Sequence, residues 1–112
     1  MSQDNLRVLD CTLRDGGYYN KWDFDSRLVA KYLEAMADSG VQYIELGFRQ
    51  FNNEEFLGAH AYTTGESLQR LHLPDGPEYG VMIDAKTVLL EKAPQHESID
   101  KLFLDSSVEK IT

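Results

Sequence analysis

Two side chains of opposite charge, Arg14 and Asp15, stand directly before a pair of glycines in the stretch "LDCTLRDGGYYN". An arginine stays charged at any working pH and presents a planar fork of donors, which suits it to a carboxylate or to the oxygen of an enolate. The aspartate beside it offers the hard oxygen atoms that Mg2+ and Mn2+ prefer. A third charged residue, Glu45, lies inside the apolar run "VQYIELGF". An unpaired carboxylate there would cost several kcal/mol, so it needs a cation, and Arg14 is the obvious partner. Such a pair would fix the guanidinium and leave Asp15 available for a metal. The same three residues could equally form an ion-pair network that merely ties two strands together. On these residues alone both readings stand.

Other side chains have a plain reading beside a chemical one. Tyr18, Tyr19, Trp22 and Phe24 could line a pocket or simply cover one end of a sheet. His60 falls in a long loop, where it either faces a substrate or sits at the surface. His72 and His96 lie in polar, proline-flanked contexts and are read as solvated. Cys11 is read as a small core residue. Asp84 and Lys86 are placed at the exit of a strand, as active groups or as a salt-bridged turn.

These residues must be positioned by an alternating chain. "LRVLDCTL", Leu6 to Leu13, reads as a mostly apolar strand buried on both faces and closed by glycines. Asp25 stands at an N-cap, and Leu28, Val29, Tyr32, Leu33 and Met36 recur at helical spacing up to Gly40, a helix C-terminus. Val41 to Phe48 reads as a second strand, so Leu6 to Phe48 makes a βαβ unit with parallel strands. Between Arg49 and Pro77 the pattern predicts a long loop and a short helix in "GESLQRLHL" that ends before Pro74. A third strand is expected over Glu78 to Thr87. Beyond it come one or two short helical stretches interrupted by Pro94, and the start of a fourth strand at Val108 to Thr112.

This is the opening of an α/β protein with a parallel sheet, and its ligands are expected at the carboxyl ends of the strands. The 112 residues suffice for one domain. The sheet they predict is not closed, so the chain reads as the N-terminal part of something longer. A formal charge of −8 and the lack of any Lys/Arg cluster argue against nucleic acid or an anionic membrane as partner and favour a small molecule. A single cysteine and a start without an apolar signal core point to a reduced, cytoplasmic protein.

"LDCTLRDGGYYN", followed one helix later by "YIELGF", resembles the first two strands of a superfamily of metal-dependent TIM barrels, the DRE-TIM metallolyases. That superfamily includes the pyruvate aldolases, 3-hydroxy-3-methylglutaryl-CoA lyase and 2-isopropylmalate synthase. The double glycine and "YYNKWDF" are most similar to 4-hydroxy-2-oxovalerate aldolase-like catalytic domains. The resemblance implies that residues 1–112 are a partial aldolase-type domain, about the first three βα units of a (β/α)8 barrel. It implies that Asp15 ligates a divalent cation, Mn2+ or Mg2+, that Arg14 stabilises the enolate of a 2-oxo acid, and that Glu45 holds Arg14 in place. Asp10 and Thr12 would support the turn on the substrate side. Tyr18 stands where the 4-hydroxy-2-oxovalerate aldolases carry a basic histidine and becomes the candidate proton donor, with Tyr19 and His60 as further substrate contacts.

The family's remaining metal ligands are a His-x-His pair on a late strand. His60, His72 and His96 do not form such a pair, so those ligands are expected outside this chain and the chain alone is expected to be inactive. Its partner would be the rest of the barrel or further copies of itself. Three alternatives go with this reading. One is a Claisen-type acyltransferase of the 2-isopropylmalate synthase kind. Another is a non-catalytic fragment that self-associates through open sheet edges. The last is a binding module in which the Arg14–Glu45 pair only holds a small acid.

Overall fold

The computed structural model of the chain describes residues 6–51, 56–90 and 100. The first strand is much shorter than the apolar run that announces it, β1 being only Leu9–Asp10. The reason lies in the side chain of Asp10, which accepts the Thr12 N–H at 3.0 Å and turns the backbone out of the ladder. The N–H groups of Arg14 and Asp15 then fold back onto the Cys11 carbonyl at 3.1 and 2.8 Å. One helical turn results, α1 (Thr12–Asp15), continued by a 3-10 turn over Gly16–Tyr19. Leu6, Val8 and Leu9, expected to be covered on both faces, are exposed.

Asp25 caps the long helix α2 (Ser26–Ser39) as predicted: its carboxylate accepts the N–H groups of Arg27 and Leu28 at 2.7 and 3.3 Å. Gly40 ends it in the left-handed conformation, φ 84°, with its N–H returned to the last turn. Val29 and Leu33 are the buried stripe, with Tyr32 and Met36 packed at its margin, whereas Leu28 faces solvent.

β2 (Tyr43–Phe48) lies between β1 and β3 (Glu78–Met82), parallel to both, in the order β1-β2-β3. Leu9 registers with Tyr43, and Tyr43 with Glu78. The central position explains why residues 44–48 are all buried. Ile44 and Leu46, two apart on one face, pack with Val29 and Leu33 of α2 and with Leu13, Leu68 and Tyr79. Each such aliphatic side chain contributes about 1.5–3 kcal/mol on burial. The chain is thus α/β, with three parallel strands in an open sheet and helices against it.

Past Glu45 the β2–β3 register shifts. Gly47 has φ 143°, and a Cβ there would lie 2.1 Å from the His60 carbonyl oxygen, so both conformation and space require glycine. The expected loop after β2 contains a 3-10 turn at Ala59–Ala61. The helix α3 (Gly65–Arg70) follows, with Thr64 accepting the Ser67 N–H at 3.1 Å. The third strand stops at Met82 rather than Thr87. Asp84 accepts the Lys86 N–H at 3.0 Å and starts α4 (Ala85–Leu90), so these two residues open a helix instead of closing a strand. Pro94, His96 and the expected strand at Val108 to Thr112 lie outside the described residues. Among those described, no helix is long and apolar enough to cross a membrane.

Candidate active site

The helical turn α1 places Arg14 against β2, and its Nε donates to Glu45 Oε2 at 2.8 Å. The two side chains are 24% and 9% exposed, so the pair is shielded but not sealed. The bond to Glu45 outweighs the cost of burial and raises the guanidinium pKa above its already high ordinary value. Arg14 therefore remains a fixed positive charge. Asp15 is the exposed member of the group. Its side chain is 76% exposed and its Oδ1 lies 4.0 Å from Arg14 Nη1.

Cys11, Thr12, Asp15 and Gly16 line an open hollow beside this pair. Cys11 is half-buried rather than a core residue. Burial pushes its thiol pKa up, the charge of Glu45 adds to that, and Arg14 opposes it. Asp10 serves the turn: besides the Thr12 N–H, its carboxylate accepts the Tyr32 hydroxyl. Burial first, and then this carboxylate, push the Tyr32 phenol well up.

The aromatic loop clamps the turn. Trp22 Nε1 donates to the Arg14 carbonyl at 2.8 Å, and its indole fills the space above Gly17, where a Cβ would fall 1.8 Å from the ring. Tyr18 meets Trp22 edge to face at 4.9 Å, and Phe48, at the end of β2, lies 5.6 Å from Trp22. Tyr18 is thus joined to the Arg14 turn through Trp22, with 64% of its surface open, while Tyr19 is 94% exposed.

His60 is not in this hollow, nor is it at the surface. It is buried, with Nδ1 2.6 Å from the Leu46 carbonyl and its ring edge to face with Phe24. Burial lowers its pKa against the opposing effect of that bond. The residues missed from sequence are those that brace the end of β2. Arg49 is buried and its Nε donates to the Thr63 carbonyl at 2.9 Å, while Thr63 Oγ1 donates to the Phe48 carbonyl at 2.7 Å. An arginine directly after an apolar strand was the available signal. Among the described residues no group of three or more His, Cys, Asp or Glu is placed to hold a metal, and Asp15 offers a single carboxylate.

No family model and no curated protein matches the chain. Among solved structures it is similar to the "N-terminal domain of a putative aldolase from Bacteroides vulgatus", with a TM-score of 0.75 and 36% identity. The fold is aldolase-like. The match covers 88% of this chain and 31% of that one, so the chain spans less than a third of the solved relative.

Proposed function

We propose that the chain contributes the enolate-stabilising residues of a divalent-metal-dependent aldolase or lyase acting on a 2-oxo acid, and that its three strands open a TIM barrel. The observation that supports this most is the 2.8 Å bond from Arg14 Nε to Glu45, which orients the guanidinium beside an exposed Asp15. With Nε committed, the terminal nitrogens of Arg14 are left to bind the substrate carboxylate and to meet the charge that develops on the keto oxygen. In the cleavage the bond that breaks joins the carbon beside the carbonyl to the hydroxyl-bearing carbon. That hydroxyl yields its proton to a base or to water and its carbon becomes an aldehyde, while the electron pair of the broken bond is left on the enolate. A proton delivered to carbon then gives the shorter 2-oxo acid, and Tyr18, exposed and joined to the Arg14 turn through Trp22, is the donor assigned here.

A divalent cation would supply polarisation of the carbonyl. Asp15 fits it as one hard oxygen ligand, with the other ligands coming from outside the described residues. The test is exchange of the pyruvate methyl protons in D2O, followed by NMR on the complete protein with Mn2+ and needing no second substrate. Arg14→Ala and Asp15→Ala should each slow it by about 100-fold. Unchanged exchange in the exposed-site variant Asp15→Ala, with its circular dichroism intact, would reject the assignment. Product analysis with and without acetyl-CoA separates cleavage from a Claisen-type acyl transfer.

A second reading rests on the edge position of β1 in the sheet, with Leu9 and the preceding Leu6 and Val8 exposed at 53%, 65% and 46%. Such an edge suits pairing with the rest of a barrel or with another copy. Light scattering that gives a monomer at high concentration would remove the self-association.

A further inference from the structure

The turn that carries Arg14 cannot hold its own place. α1 is a single turn, and one turn of helix is not stable by itself, so neighbouring segments have to fix the guanidinium relative to Glu45. Glu45 holds the side chain, through Nε at 2.8 Å. At the backbone of the same residue, Trp22 Nε1 donates to the Arg14 carbonyl at 2.8 Å. An indole N–H only donates, so this bond commits the one polar group of the ring to that carbonyl.

Trp22 is itself held firmly. Lys21 and Trp22 both have φ 58°, a left-handed conformation that is costly for an L residue and persists only where the surroundings impose it. The Trp22 N–H donates to the Gly17 carbonyl at 3.0 Å and to Asn20 Oδ1 at 3.1 Å. The Lys21 carbonyl accepts the Gly58 N–H at 2.8 Å, and Gly58 passes so close that a Cβ there would lie 2.2 Å from the Trp22 carbonyl oxygen. From Gly58 the chain runs on to the end of β2, where His60 meets the Leu46 carbonyl and Thr63 donates to that of Phe48. One stretch, residues 58–63, thus grips both the loop that carries Trp22 and the strand that carries Glu45. Covering the end of the sheet would need only the ring of Trp22, neither the strained backbone nor the bond to Arg14.

We infer that Trp22 is a positioning residue for Arg14: its N–H, backed by residues 58–63, sets the guanidinium against Glu45 and thereby fixes the terminal nitrogens that meet the enolate. The catalytic consequence rests on the aldolase reading, whereas the placement of the guanidinium does not.

Trp22→Phe tests this, because it keeps an aromatic ring beside Gly17, Tyr18 and Phe48 and deletes the N–H. Two measurements are made on the complete protein: solvent exchange of the Arg14 Nε proton by NMR without metal, and exchange of the pyruvate methyl protons in D2O with Mn2+. The Arg14 Nε proton, protected by its bond to Glu45, should exchange about five- to tenfold faster in the variant, as the loss of one hydrogen bond implies. The maximal rate of pyruvate exchange should fall by a similar factor, and by more than the half-saturating pyruvate concentration rises, with circular dichroism intact. If Trp22→Phe fails to fold, a benzothiophene side chain at position 22, which keeps the two fused rings and puts sulfur in place of the N–H, makes the same comparison. If the wild type shows no pyruvate exchange, the aldolase reading fails and the Nε proton alone decides the placement of the guanidinium. An unchanged Nε exchange rate overturns the proposal, and so does full pyruvate exchange in a variant whose Nε proton has been freed.

Discussion

Removing either partner of the Arg14–Glu45 pair should destabilise the fold by unequal amounts. Arg14→Leu strands a carboxylate whose side chain is only 9% exposed, while Glu45→Gln leaves a guanidinium that is 24% exposed and keeps a neutral acceptor within reach. Breaking a fully buried pair costs about 3–5 kcal/mol. Discounted for the opening on the Arg14 side, the expectation is about 3 kcal/mol for Arg14→Leu and about 1–2 kcal/mol for Glu45→Gln. The double variant removes both charges, so its cost should fall short of the sum by about 1–2 kcal/mol. Urea unfolding followed through Trp22, the chain's single tryptophan, measures all three. Two equal single costs, or strict additivity, would mean that the 2.8 Å contact does not couple the two side chains in solution.

Gly17→Ala should expel the Trp22 indole, because the added Cβ would fall 1.8 Å from it. Overpacking and the lost bond to the Arg14 carbonyl together cost about 2–4 kcal/mol, and tryptophan emission should shift to the red. An unmoved emission maximum counts against the clamp. The His60 pKa is lowered on folding, so between its folded value and the ordinary value of about 6.5 the unfolded chain binds the extra proton. That contribution is complete above about 6.5 and is lost as pH falls toward the folded value. The stability difference between wild type and His60→Asn should therefore decline from pH 7.5 to 5.5, and a constant difference refutes it. Cys11 should react with iodoacetamide more slowly than free cysteine at pH 8, and faster once Glu45→Gln removes one cause of its raised pKa. Equal rates in the two proteins would place the thiol away from Glu45.

The sequence made the βαβ unit legible because its signals are local and redundant. Asp25, Gly40 and the stripe through Val29 and Leu33 each mark the same helix, and the Arg14–Glu45 pairing follows from the need to neutralise one acid in an apolar strand. It misled where a polar side chain redirects the backbone. Asp10 and Asp84 look like strand residues by pattern, yet each carboxylate takes an N–H two residues on and converts the strand into a helical turn. The burial of His60 and Arg49 was hidden for a different reason. Both depend on how residues 58–63 fold back over the end of β2, which no periodicity encodes. Gly47, near the end of the second strand by pattern, is required by the carbonyl of His60 pressed against it, a contact that no local signal carries.

The sideways bonding at the end of β2 also bears on the order of assembly. The carbonyls of Leu46 and Phe48 are taken by His60 and Thr63, only 14 and 15 residues along the chain. The ladder from Tyr43 to Glu78 must close a far longer segment. Since the entropy lost on closure grows with span, this seam is the cheaper one to form and can fasten before the third strand arrives. Pulse-labelled amide exchange during refolding should accordingly protect the Thr63 region ahead of the residues that dock β3.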